Sequence, residues 1–341
     1  MKAAVVHEPG GPDVFRIEDV PTPAIGRDDA LVRVEGCGVS SHDVVARDGT
    51  YRRGIEFPVI LGIEVSGTVE EVGEGVVDLQ PGDRVASKPW HSCGRCRYCR
   101  GGMETSCERR RSVGHGGYAE YIAMPAETLV KVPEGVAPEV AAILGAAAGV
   151  ALNAARDTAK VRIGEDVLVT GASGGVGFSA VQISKLMGAR VIAQTRSEEK
   201  RGDLLDAGAD EVVVAPDRER EFFSEVKELT GAKGVEVVID TVGSTVFTSA
   251  FRSLAMNGRY AVVGQLVGEE VSINLARVFF KRAQLLGVGS VSRAQLEDAI
   301  RLAAEGRISP RVARVLPLEQ VAEAHRLTED GSLVGRIVLA P

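Results

Sequence analysis

The stretch 170–177 reads T-G-A-S-G-G-V-G, behind the apolar run Asp166-Val-Leu-Val-Thr170 and ahead of a helical pattern over 178–187. A buried strand that turns through closely spaced glycines into a helix is the frame of a dinucleotide-binding βαβ unit. Gly171 permits the tight turn, Gly174 lets the backbone approach a pyrophosphate, and Gly177 lets the helix pack closely on the strand. Ser173, Gly175 and Val176 complete the loop, and the helix start offers free N–H groups and a positive dipole end to the phosphates. Downstream, strands near 190–193, 211–214, 235–240, 258–264 and 284–288 alternate with helices near 198–206, 219–229 and 246–255. That alternation predicts an α/β doubly wound parallel sheet, preceded by an Ala-rich helix through 141–155.

The second constraint is chemical. Cys93, Cys96, Cys99 and Cys107 are spaced C-x2-C-x2-C-x7-C. Four thiolates in one short lobe suit Zn²⁺, which has no geometric preference of its own and favours sulfur. An all-thiolate shell leaves no open position, so one structural zinc per chain is expected to hold a loop rather than react. Two disulfides or four buried thiols are the competing reading, and nothing else in the chain looks secreted.

Before about residue 137 the texture differs. Short segments such as 31–34, 67–72 and 83–86 partly alternate apolar and polar residues between Gly and Pro punctuation, as in a barrel with one buried face. At 341 residues the chain is long enough for two domains with separate cores. Its net charge of −7 argues against nucleic acid or an anionic membrane as partner. The N-terminal residues 1–7 read as a strand with no room for a signal segment, and no apolar run approaches membrane-spanning length. Four cysteines given to metal and one spare fit a reducing cytoplasm.

Nucleotide preference is read at the end of the second parallel strand, where an acidic residue would bind a ribose 2′-hydroxyl. Thr195 stands there, followed by Arg196 and Ser197, with Lys200 one helical turn on. No carboxylate repels a 2′-phosphate, and a guanidinium can grip one bidentately, so NADPH is expected. The competing reading makes Arg196 and Lys200 a solvated face beside Glu198 and Glu199.

Several motifs in order resemble the medium-chain dehydrogenase/reductase family of zinc alcohol dehydrogenases and quinone or enoyl reductases. They are G-C-G-V-S-S-H-D (36–43), P-V-I-L-G-I-E-V-S-G (58–67), P-G-D-R-V (81–85), the cysteine lobe, G-G-Y-A-E-Y (116–121), G-A-S-G-G-V-G (171–177) and V-G-R-I-V (334–338). The resemblance implies a GroES-like β-barrel substrate domain over 1–145 and 289–341, with the zinc lobe at 90–110, and a Rossmann domain over 146–288. It extends the nucleotide-binding set to Asp240, Val263, Gly289 and Arg336. It also implies a homodimer or homotetramer in which the edge strand 284–288 pairs across a twofold axis.

The family's catalytic zinc is held at three places, and this chain departs at each. Ser40 stands at the first, Ile63 in Gly62-Ile63-Glu64 at the second, and 144–148 (Leu-Gly-Ala-Ala-Ala) offers no thiolate at the third. A hydroxyl, an alkyl group and a methyl make no first shell. Cys37, His42 and Glu64 lie nearby, but Cys37 is offset by an odd number of residues and falls on the opposite strand face. Asp43 and Glu64 match positions that support the metal in the zinc enzymes.

Without that Lewis acid, alcohol oxidation lacks a driving group, whereas hydride addition to a conjugated C=C–C=O spreads charge into an enolate that hydrogen bonds can stabilise. The expected reaction is therefore reduction of an activated alkene (enal, enone or enoyl thioester) or a quinone. A zinc-type alcohol dehydrogenase with a non-standard site and a catalytically silent relative are the alternatives. Ser40, His42 and Tyr51 are the candidate catalytic residues: Tyr51 as enolate donor or a barrel cap, His42 as proton donor or ribose partner. Trp90 and His91 are expected to shape the pocket. Arg52, Arg53 and Arg109 to Arg111 are basic clusters that suit an anionic CoA tail or simple solvation, and His115 opens the G-G-Y-A-E-Y stretch as a cleft residue or a loop histidine without duty.

Overall fold

The structure is a computed structural model and describes residues 1–51, 55–113, 116–216, 221–265 and 269–341. Arg52, Arg53 and His115, singled out above, lie outside the described residues. The chain divides into two compact units: residues 1–149, 290–306 and 310–341 form one, and 150–289 with 307–309 form the other.

The first unit is built on a seven-stranded sheet. Its central strand Asp29–Val39 pairs antiparallel with Glu64–Val72 on one side and with Arg336–Ala340 and Tyr121–Pro125 on the other. Ala30, Val32 and Val34 are buried while Arg33 reaches out to Glu70 at 2.7 Å, the period-two alternation of a half-buried strand. The inward residues join Val65, Val69, Val85, Leu129 and Leu339 in one apolar core. A three-stranded sheet, Phe15–Asp19, Lys2–Val6 and Val59–Ile60, lies beside it.

The second unit is a six-stranded parallel sheet in the order Glu211–Val214, Arg190–Thr195, Asp166–Thr170, Val235–Asp240, Leu254–Val262, Gln284–Gly287. The order reverses after the first strand in sequence, which is the doubly wound arrangement and places the glycine turn at the switch point. Val167, Leu168 and Val169 are fully buried, as a parallel strand covered on both faces must be.

Several boundaries depart from the pattern reading. The helix expected over 198–206 begins as a 3₁₀ turn, Glu198–Lys200, before Arg201–Asp206. The helix expected from 219 is described from Phe223 to Leu229, with 217–220 outside the described residues. The strand expected from Gly258 opens earlier, at Leu254, with a register shift on its partner between Val235 and Val237.

The largest departure is the Ala-rich segment. It forms one helical stretch, Pro138–Thr158, interrupted by π-helical turns at Leu144–Gly149 and Asn153–Thr158. By length and hydropathy alone this stretch meets a membrane-spanning criterion, which corrects the expectation that no apolar run does. It is a buried core helix, with 78% of its most apolar window inside the protein. Small residues make that burial possible: a Cβ on Gly145 would sit 2.4 Å from the Ser87 carbonyl oxygen, and one on Gly149 2.4 Å from Val291 Cγ2.

Candidate active site and metal centre

In the second unit, the strand Asp166–Thr170 runs into the turn and the helix Gly175–Leu186. Gly171 takes φ +59°, and a Cβ there would strike Thr241 Oγ1 at 2.6 Å. On Gly177 a Cβ would lie 2.2 Å from the Gly171 carbonyl oxygen, so strand and helix touch through the missing side chain. Gly174 differs. It caps the helix with φ −78°, and a Cβ would meet nothing closer than 3.5 Å. The fold does not require glycine there; an approaching phosphate would. The first-turn N–H groups have no acceptor within the helix, so these residues fit a dinucleotide pyrophosphate.

Around this turn, Lys200 is buried with Nζ 3.4 Å from Ser173 Oγ, which brings a cation to the phosphate side of the loop. Thr195 is buried at the end of Arg190–Thr195, and Ser197 is partly exposed. Arg196 is exposed and has no ion pair among the described residues, while Glu198 is taken up by Arg201. Asp240 is a structural hub: Oδ1 accepts from Thr170 Oγ1 (2.6 Å), Val242 N (3.0 Å) and Gly243 N (3.1 Å), and Oδ2 from Tyr260 OH (2.6 Å). The Val263 N–H donates to the Asp240 carbonyl, and Gly289 ends the segment.

In the first unit, Trp90–His91 and Arg111–Ser112 form a two-stranded ladder that closes the cysteine lobe. The four sulfur atoms lie within 4.8 Å of one another, Cys96 to Cys99 at 3.5 Å and Cys96 to Cys107 at 3.9 Å, with no disulfide. A tetrahedron with Zn–S bonds of about 2.3 Å has edges of about 3.8 Å, so the thiols are already spaced for the ion. Backbone N–H groups of Cys93 and Arg109 point at Cys107 Sγ, both at 3.3 Å, as they do toward a metal-bound thiolate.

The three positions of the family's catalytic shell are used differently. Ser40 is the N-cap of the helix Ser41–Arg47: its hydroxyl donates to Asp43 Oδ2 at 2.6 Å and accepts from the Asp43 N–H in a capping box. Asp43 Oδ1 accepts from the Gly62 N–H at 3.2 Å. Ile63 brings only an alkyl group, and Leu144–Gly149 is the π-helical turn. Cys37 is fully buried, wedged so that a Cβ on Gly62 or Gly117 would come within 2.7 or 2.6 Å of its sulfur. Burial pushes its thiol well up, which holds it neutral.

Glu64 is buried, and burial raises its pKa against the opposing Arg336 guanidinium. Arg336, expected on the nucleotide, forms a two-pronged pair with it, Nη2 to Oε1 at 3.0 Å and Nε to Oε2 at 3.3 Å. A buried carboxylate without such a partner would be costly, which is why this arginine is engaged.

Of the catalytic candidates, His42 and Tyr51 are brought together, ring centroids 5.0 Å apart. Tyr51 folds back on the helix through its N–H to the Val45 carbonyl at 2.8 Å. Also in the first unit is a small hollow lined by Lys88, Trp90, His91, Ser92, Arg110 and Val291, among others. Lys88 has no distinguishing signal in the sequence, and Arg110 has only its place in the 109–111 cluster. Lys88 is almost fully buried, Nζ 2.7 Å from Glu127 Oε1 and 3.5 Å from Glu104 Oε2. Arg110 stacks over Trp90 at 3.9 Å, donates from Nη1 to the Thr105 carbonyl at 3.0 Å, and has a buried Nε with no acceptor among the described residues.

With this geometry, the comparisons agree across the whole length. Residues 26–134 match the alcohol dehydrogenase GroES-like domain, and 175–305 match the zinc-binding dehydrogenase domain. The chain is 36% identical over 345 residues to an acryloyl-coenzyme A reductase of Sulfurisphaera tokodaii, covering 100% of both chains. It is also 36% identical over 345 residues to an alcohol dehydrogenase of Geobacillus stearothermophilus, covering 99% of each. A crystal structure of AibC superposes with a TM-score of 0.93 at 41% identity, covering 100% of this chain and 96% of that one. The parallel sheet with its glycine turn, the GroES-like unit and the cysteine lobe together make this chain a member of the medium-chain dehydrogenase/reductase family, an oxidoreductase by descent.

Proposed function

We propose that this protein is an NADPH-dependent reductase that delivers hydride to the β-carbon of an activated alkene, with an enoyl thioester the foremost substrate and enals, enones and quinones in the same chemical class. The observation that carries the reading is the altered catalytic shell beside an intact nucleotide turn. Ser40 is committed to capping a helix, Ile63 is apolar, and 144–148 has no ligand atom, while the 171–177 turn keeps the open approach at Gly174. A relative named acryloyl-coenzyme A reductase supports a C=C substrate.

In this reading the helix start at Gly175 and the cation of Lys200 hold the pyrophosphate, and the unpaired Arg196 with Ser197 receives the 2′-phosphate. NADPH bound there supplies the hydride. Tyr51 and His42 are the proposed source of the proton that returns to the α-carbon. The cysteine lobe holds one zinc that keeps Trp90–His91 and Arg111–Ser112 in place and takes no part in the reaction.

We also propose a homodimer or a homotetramer built from two such dimers. The strand Gln284–Gly287 closes the sheet with one edge unpaired among the described residues, and Leu275, Phe279 and Phe280 on the preceding helix are each at least 70% exposed. Such an apolar edge favours self-pairing. The function is tested by following NADPH oxidation with acryloyl-CoA, an enal, an enone and a quinone, and NADP⁺ reduction with ethanol and benzyl alcohol. Turnover of the alkenes without alcohol oxidation is expected; the reverse pattern would overturn the reading.

A further inference from the structure

We propose that Arg110 is the electrophilic residue of this enzyme: its guanidinium binds the substrate carbonyl oxygen and stabilises the enolate that forms when hydride arrives. The inference rests on the alkene-reductase reading above and names the group that replaces a Lewis acid in it.

Conjugate reduction moves charge in a defined way. Hydride bonds to the β-carbon, the C=C electron pair shifts toward the α-carbon, and the carbonyl oxygen carries the resulting negative charge. NADPH is oxidised to NADP⁺, and the α-carbon then takes a proton from Tyr51, His42 or water. The step that needs help is the developing oxyanion, and fixed donors in a water-poor site are the effective form of help.

Arg110 meets those terms. Lys88, the other strong cation of the hollow, is neutralised by Glu127 and Glu104, and His91 Nδ1 lies 3.2 Å from Glu127 Oε2. Arg110 has no carboxylate within ion-pair distance among the described residues. Its plane is fixed on one face by Trp90 and at one end by the Thr105 carbonyl, while the Nε hydrogen is buried with no acceptor among the described residues. A buried, unpaired, pre-oriented donor is costly to a fold and useful to a reaction that creates an anion.

The test compares acryloyl-CoA with acryloyl-N-acetylcysteamine, which has the same reactive head and no phosphate. Wild-type turnover of either establishes the parent reading; turnover of neither sinks that reading and this one with it. In the active enzyme, Arg110→Gln is expected to lower kcat roughly 10²–10³-fold on both thioesters with KM changed only a few-fold. Arg110→Lys should recover at least tenfold over Arg110→Gln, and zinc content and NADPH affinity should stay at the wild-type level. A loss confined to acryloyl-CoA and expressed in KM would make Arg110 a dock for the coenzyme's phosphates and overturn the proposal. So would a loss below fivefold on both substrates. If Arg110→Gln sheds zinc, Arg110→Lys decides: with the metal retained, recovered rate supports the proposal and unrecovered rate refutes it.

Discussion

Gly174 and Gly177 lie three residues apart in one turn, and the structure assigns them opposite reasons for lacking a side chain. Alanine at Gly177 would put Cβ 2.2 Å from the Gly171 carbonyl oxygen and 2.8 Å from Ala172 Cα, more than 0.5 Å inside ordinary contact with backbone that cannot rotate away. The turn must lift off the helix, which costs about 1–3 kcal/mol as overpacking and is offset only partly by about 1 kcal/mol of helix propensity. Alanine at Gly174 meets nothing nearer than 3.5 Å at φ −78°. There the weaker N-cap and the stiffer unfolded chain roughly cancel, leaving stability within about 1 kcal/mol of wild type. The methyl group instead occupies the approach of the phosphate, and a loss of at least about tenfold in NADPH affinity, or about 1.4 kcal/mol, is expected. Thermal unfolding of the unliganded protein and nucleotide titration by fluorescence separate the two. Gly177→Ala should lower Tm; Gly174→Ala should leave Tm near wild type and weaken binding. NADPH affinity within twofold of wild type in Gly174→Ala would refute the assignment of the loop to the pyrophosphate.

Cys107→Ser should release the zinc and lower the Tm, since a structural thiolate site is coupled to folding; one zinc per wild-type chain by elemental analysis is the companion result. Arg196→Ala should erode the NADPH-over-NADH preference mainly through KM, and an unchanged ratio would remove Arg196 from the 2′-phosphate. His325 is buried, and because Arg47 Nη1 can only donate to its Nδ1 at 3.1 Å, the imidazole must be neutral with its hydrogen on Nε2. Burial, with Arg47 beside it and Asp43 opposing, depresses its pKa to about 4. The folded state therefore resists the proton that the unfolded chain accepts. Stability should be full above about pH 6.5, fall between 6.5 and 4, and fall less in His325→Gln, as urea titrations across that range will read.

Much of the fold is legible because its signals are local. Parallel strands such as Asp166–Thr170 and Val235–Asp240 carry buried apolar centres, Val167 to Val169 and Val237 to Ile239, and the order of alternation implies the sheet. The cysteine lobe is legible because four ligands fall within fifteen residues. The capping box at Ser40 and Asp43 is equally local, the S-x-x-D spacing of 40–43. The π-helical turns are not legible, because apolar periodicity in an Ala-rich run does not register one extra residue per turn. Lys88 reads as a surface lysine because its carboxylate partners Glu104 and Glu127 are remote in sequence. Arg110 is one of three consecutive arginines, and only packing on Trp90 and the orphaned Nε set it apart from its neighbours.

The destination of the hydride is the most direct test of the account. With NADPH deuterated at the transferring C4 position and acryloyl-CoA as substrate, the account predicts a propanoyl thioester with one deuterium at the β-carbon by NMR, formed by protein holding one zinc per chain. Deuterium at the carbonyl carbon, in an aldehyde or alcohol product, would contradict it.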